Sequence, residues 1–185
     1  SENSHAIKLL GPPHSASANY TLTFPNNDGD ANQFLQTNGS GVMSWAGAAI
    51  LNNYSTFVNS TEKITISATA ATGTINYDTG TQSVVYYTSA ATGDWTINFR
   101  DSSGATLNSK MATGEVITVV HLVTLTGAEY RNTTVQVDGS AKTPEWQGGA
   151  APTEGNANSI DSYTYTIIKT GDAAFTVLAA LTQFA

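Results

Sequence analysis

Three histidines and fourteen carboxylates are the side chains of this 185-residue sequence with the most chemistry to offer. His5 and His14 stand near the start and His121 lies in VVHLVT, and none has the HxH or HExxH spacing by which zinc sites are recognised. His121 alternates with Val119, Val123 and Leu125, which suits a core or interface imidazole; a metal ligand or a pH switch is the other reading. Asp28 and Asp30 in NNDGDAN resemble the opening of a calcium loop. The central glycine and closing glutamate that such a loop needs do not follow Ala31 and Asn32, so a turn is expected instead. Glycoside hydrolysis needs two carboxyl groups facing each other across a cleft. The candidates Asp94, Glu115, Glu145 and Asp161 all fall at strand ends or in loops, where solvated carboxylates are ordinary. GxSxG, GxxxxGK and a dinucleotide fingerprint are missing from the sequence. No catalytic, cofactor-binding or metal-binding residue is assigned, and the chain reads as a non-enzyme.

Two stretches stand out for shape. FLQTNGSGVMSWA places Phe34 and Leu35 before a break and Val42, Met43 and Trp45 after it, with Asn38-Gly39-Ser40-Gly41 between. Asn-Gly and Gly supply the positive φ angles of a tight turn, so a hairpin is predicted, with Gly39 and Gly41 as its structural residues. TPEWQGGAAPTEGNANSIDSYTYT holds Trp146 between Pro144, Gly148, Gly149 and Pro152. Such a loop tryptophan can close the end of a β-sandwich or stack on a sugar ring; both readings stay open.

The elements that must position these residues are strands. Charged residues are only 11% of the chain, against roughly 25% in average globular proteins. Threonine, which packs on a pleated surface while keeping a hydroxyl in water, occurs 28 times. Residues 1–58 read as a leader of short strands, AIKLL and NYTLTFP among them, and the hairpin, with GAAILNNYSTFVNS as connector. Such short strands bury too little alone, so the leader needs a partner surface. Residues 59–185 carry about eight strand signals. KITISAT comes first; GTINYDTGTQSVVYYTS reads as two strands around Asp78-Thr79-Gly80. DWTINFR sets Trp95, Ile97 and Phe99 on one face. EVITVVHLVTLT is apolar on both faces and is expected to be a covered central strand. NTTVQVDGS, SYTYTIIKT and AAFTVLAALTQ complete the set. The expectation is an all-β chain: a small N-terminal β-hairpin module, then an eight-stranded antiparallel jelly-roll-like sandwich.

Net charge is −7 and the seven basic residues are scattered, the wrong footprint for nucleic acid. No apolar run is long enough for a membrane span, and SENSHAIKLL lacks a signal-peptide pattern. There is no cysteine. Four sequons, at Asn19, Asn53, Asn59 and Asn132, would be glycan acceptors in a eukaryotic secretory protein, but chance accounts for most of them in a chain this rich in Asn and Thr.

Pro25, Asp28, Gly29, the run from Gln33 to Gly41 and Ser44-Trp45-Ala46 resemble a short module that recurs in fibre and appendage proteins of tailed bacteriophages, marine cyanobacterial phages especially. The second half is similar to the terminal β-domain of such proteins, through Trp146, Gly148-Gly149, Pro152-Thr153, Asp161, Tyr163, Tyr165 and the turn at Gly171. The resemblance implies a virion structural protein on the particle exterior. It would be a homotrimer that contacts other virion proteins and a host cell-surface glycan or protein, as a tail fibre, head fibre or spike piece. The leader would then be a shaft, collar or attachment module that several copies complete together. A capsid decoration protein, a carbohydrate-binding module and a polysaccharide-acting enzyme are the competing readings.

Overall fold

The computed structural model describes residues 10, 11, 13–17, 19–31, 33–47 and 64–184, the side chain of His14 excepted. The chain forms two compact units, Ser1–Val58 and Asn59–Ala185. The AIKLL strand, apart from Leu10, and the connector beyond Gly47 fall outside the described residues, as does His5.

In the first unit, β1 (Phe34–Thr37) and β2 (Met43–Ala46) pair antiparallel, with Thr37 opposite Met43. The Asn38 carboxamide accepts from the Ser40 and Val42 amides at 2.8 and 3.2 Å, which fixes the turn. Gly39 and Gly41 have φ of +82° and +84°, and a Cβ on Gly41 would run into the Thr21 carbonyl. NYTLTFP does not form a full strand. It contributes Thr23, which exchanges backbone hydrogen bonds with Gly41 and Met43 at 2.8 Å each. The described residues of NNDGDAN form a turn, and a Cβ on Gly29 would come within 2.7 Å of the Trp45 ring. Trp45 Nε1 donates to the Asn27 carbonyl at 3.0 Å. No described residue of this unit is buried.

The second unit is a sandwich of a six-stranded and a four-stranded sheet. Its strands in chain order are β3 (Ile64–Ala70), β4 (Gly73–Asp78), β5 (Val84–Ser89), β6 (Trp95–Arg100), β7 (Val116–Thr124), β8 (Asn132–Val137), β9 (Ser140–Lys142), β10 (Glu145–Trp146), β11 (Ile160–Gly171) and β12 (Ala174–Phe184). One helical turn, α1 (Leu107–Lys110), precedes β7. The six-stranded order is β10-β12-β11-β7-β5-β3 and the four-stranded order is β4-β6-β8-β9.

All-β is therefore right, but the eight-stranded antiparallel jelly roll is not: there are ten strands among the described residues of this unit, and the pairing is mixed. From β3 to β8 each strand lies in the sheet opposite to its predecessor, and alternate strands pair parallel, β3 with β5 with β7 and β4 with β6 with β8. Parallel neighbours need a long crossover, and here the strand of the facing sheet is the crossover. Asp78-Thr79-Gly80 is accordingly a corner between sheets rather than a hairpin turn. Thr79 and Gly80 donate to the carbonyls of Arg100 and Asp101, the corner of the next winding, at 2.9 and 3.0 Å.

A repeat underlies this coil. AATGTINY (70–77) returns as AATGDWTINF (90–99), and the structure stacks like on like: Thr74 with Thr96, Ile75 with Ile97, Asn76 with Asn98, Tyr77 with Phe99. At the corners Ala71 and Ala91 are buried, with Thr92 N donating to the Ala71 carbonyl and Ala91 N to that of Thr124. A side chain larger than alanine would hold the two sheets apart at these corners.

The antiparallel part comes last. β11 pairs with β7 and with β12, and β9 folds back on β8 through Asp138-Gly139, both left-handed with φ of +51° and +77°. The core lies between the sheets. Trp95, Ile97 and Phe99 of β6 face Val119, His121 and Val123 of β7 and Tyr163, Tyr165 and Ile167 of β11, all of them buried.

The two outward faces differ. On the four-stranded sheet Asn98 Nδ2 donates to Asn76 Oδ1 at 2.9 Å, and Arg100 pairs with Asp78 at 2.6 Å. On the six-stranded sheet one row runs Ile66, Tyr86, Leu122, Ser162, Thr182 and the next Ile64, Val84, Val120, Thr164, Ala180.

Candidate functional site

β10 adds to the edge of the larger sheet as a two-residue strand parallel to β12, Trp146 opposite Ala179, and Gln147 N donates to the Ala179 carbonyl at 2.8 Å. Trp146 is thus on an edge strand rather than in a free loop. Gly148 and Gly149, with φ of +83° and +84°, turn the chain away at once, and Gly149 N closes back on the Trp146 carbonyl at 2.9 Å. The half-buried Trp146 ring meets the edges of Tyr163 and Tyr165 at centroid distances of 6.5 and 6.3 Å. An aromatic chain continues inward through Trp95 at 5.6 Å from Tyr163, His121 at 5.8 Å from Trp95 and Tyr87 at 5.1 Å from His121.

Beside Trp146 opens a groove of about 600 Å³ lined by Glu129, Gln147, Pro152, Glu154, Asn156 and Gln183 among others. Its far wall is held firmly. Gly155 N donates to the Glu129 carbonyl at 2.9 Å, and a Cβ there would run into the Tyr130 carbonyl and come within 2.7 Å of Leu125. Asp161, fully buried below, accepts from Asn156 N at 3.1 Å and Ser159 Oγ at 3.3 Å, with the Gln183 amide a third donor. Burial pushes the Asp161 carboxyl up, and these hydrogen bonds only partly offset it. The groove therefore presents one aromatic ring, carboxamides and carboxylates on a fixed frame, a set able to stack on and hydrogen-bond a polar ligand.

The other carboxylates named from the sequence are not brought together. Asp94 accepts from Arg131 N at 2.9 Å, Glu115 from Ala112 N at 2.7 Å, and Glu145 is exposed on β10. Among the described residues no group of three His, Asp or Glu side chains is placed to hold a metal ion. His121 is buried, its two ring nitrogens have no hydrogen-bond partner among the described residues, and burial lowers its pKa to about 3. The imidazole is neutral and aromatic in its role. His14 opens a short 3-10 turn, His14–Ala16. The Asn132 sequon is closed to a glycan, because that side chain is buried and donates to the Trp95 and Thr134 carbonyls at 3.0 and 2.9 Å. Asn19 is exposed, and Asn53 and Asn59 lie outside the described residues.

Sequence reasoning missed Glu129, Gln147, Glu154, Asn156 and Gln183, which come from separate loops and strands and carry no shared spacing. It also missed two other polar anchors. Asp138 accepts from the Leu107 and Asn108 amides at 2.8 and 2.9 Å, and the Lys169 ammonium donates to the Asn108 and Met111 carbonyls at 2.6 and 2.8 Å. These pin α1 to the end of the sandwich. Compared with known family models, curated proteins and solved structures, the chain matches none of them. Among the described residues no helix is long and apolar enough to cross a membrane.

Proposed function

We propose that this chain is a non-enzymatic structural protein of a tailed-phage virion. It is a fibre, spike or head-fibre piece that assembles as a homotrimer on the particle exterior and contacts the host surface. The observation that carries this reading is the state of the first unit. None of its described residues is buried, while Tyr20, Leu22, Phe24, Phe34 and Val42 are exposed. A segment with turns this specific and no buried residue among those described is one that further copies complete. The individual partners held by Asp94, Glu115 and Asp161 support a non-enzymatic role, since each carboxylate already serves a backbone group.

Sedimentation of the purified chain tests this. Three copies of 19.3 kDa, about 58 kDa, are expected, falling apart or loosening when residues 1–58 are removed. A stable 19.3 kDa species indifferent to that removal would overturn it.

The groove beside Trp146 favours a second reading that is compatible with the first, host glycan binding by this unit. Titration with oligosaccharides, followed by Trp fluorescence, should then show saturable binding that Gln183→Ala and Glu154→Ala weaken; no saturable signal with any sugar would remove it.

A further inference from the structure

We propose that the outer face of the six-stranded sheet is the surface through which copies of this chain meet, each presenting the same face to the others. The inference rests on the oligomeric reading above and assigns its interface. The five strands β3, β5, β7, β11 and β12 contain only two formally charged residues, Asp161 and Lys169, and both are buried on the inner side. The outward positions are aliphatic, aromatic, threonine or serine. Ile66 is 59% exposed, Val116 55%, Leu178 43% and Phe184 57%. No described element of this unit packs over them.

Size and charge together identify the occupant. Five strands about 4.8 Å apart and on average roughly 30 Å long present roughly 600–700 Å² of mixed aliphatic, aromatic and hydroxyl surface, close to the ~800 Å² per partner of a standard interface. A partner of different chemistry is ordinarily selected by charges at the contact, and this face offers none. A second copy needs none. Over the rest of the surface two chains of net charge −7 repel, whereas here they approach without bringing like charges together. A hollow at one end of the face, between Tyr86, Thr124, Ile160 and Phe184, gives room for a protruding side chain.

The test uses the full chain. Ile66→Glu with Leu178→Glu places charges on opposite sides of the face at already exposed positions; Thr74→Glu, exposed on the other sheet, is the control. The control should keep the wild-type mass, and the double variant should fall to 19.3 kDa with an unchanged far-UV spectrum. Because the chain has no cysteine, Ile66→Cys and Thr74→Cys report exposure directly. Ile66→Cys should resist maleimide in the oligomer, Thr74→Cys should not. An intact oligomer in the double variant, with both cysteines reacting alike, would overturn this interface and leave the oligomeric reading standing. A monomeric wild type that labels freely at Ile66→Cys would overturn both. A monomer still protected at that position would show the chain's own segments covering the face, and would also overturn the proposal.

Discussion

The two sheets of the sandwich are alike within and unlike without. Inside, each offers tightly packed aromatic and β-branched rows. Outside, β4 and β6 stack Thr74 on Thr96, Asn76 on Asn98 and Asp78 on Arg100, and the last two pairs bond side chain to side chain. The outer rows of β3, β5, β7, β11 and β12 have neither charges nor amide ladders. One fold thus carries a solvated surface and a bare one, and the difference lies wholly in the residues at alternate positions, since backbone pairing is satisfied equally in both sheets.

The comparison can be broken hardest from the inside. Trp95 serves both sheets, touching His121 of β7 and Tyr163 of β11, and is 1% exposed. Trp95→Ala should cost about 3–5 kcal/mol in denaturant unfolding. A loss below about 1 kcal/mol would mean that the sheets do not share one core. Next comes His121. Its folded-state pKa of about 3 is below the unfolded value near 6.5, so the unfolded chain takes up a proton first as pH falls. Stability is intact above about pH 6.5 and declines toward pH 3, by about 3 kcal/mol at about pH 4. His121→Phe should flatten that decline in melting temperature. Asp161, whose carboxyl is raised, works in the opposite direction, because the folded form holds its proton more strongly. An unaltered pH profile in the variant would show another group to be responsible.

The polar outer face is a smaller target. Asn98 joins Asn76 to the β8–β9 turn, accepting from Gly139 N at 2.8 Å, so Asn98→Ala strands two partners and should cost about 1–2 kcal/mol. No measurable change would show that the ladder is ornament to a fold held from within. The smallest global effect belongs to Gly41→Ala. Its +84° φ and the Thr21 carbonyl both resist a Cβ, a strain of about 1–2 kcal/mol confined to the first unit. Limited proteolysis should cut the leader faster while the sandwich transition stays in place; a shifted sandwich transition would show the two units to unfold together.

Much of this was legible because side-chain period reports a local property. The hairpin followed from Asn38, Gly39 and Gly41, and the inner faces of β6 and β7 from the alternation at Trp95, Ile97, Phe99 and at Val119, His121, Val123. Partner choice was not legible in the same way. Asp78-Thr79-Gly80 has the turn chemistry of a hairpin and of a corner alike, and the wrong option produced the antiparallel expectation. The signal that separates them was present in the AATG and TIN repeats, whose buried alanines carry the chain across the core. Trp146 read as a loop residue because a two-residue pairing leaves no period. β7 read as covered on both faces; among the described residues of its own unit only one is covered, and Val120 and Leu122 look outward. The groove escaped notice because its walls are assembled by topology.

The repeating corner also bears on how a chain like this changes length. Each winding adds one strand to each sheet, about 4.8 Å of thickness; the first two turn the corner on a buried alanine, Ala71 and Ala91, and the third on the buried Leu125. Between the first two windings the residues repeat in register, so the same cross-section recurs from one to the next. Growth has a direction as well. β9 and the β11–β12 hairpin finish one end, while β3 and β4 are the edge strands at the other among the described residues.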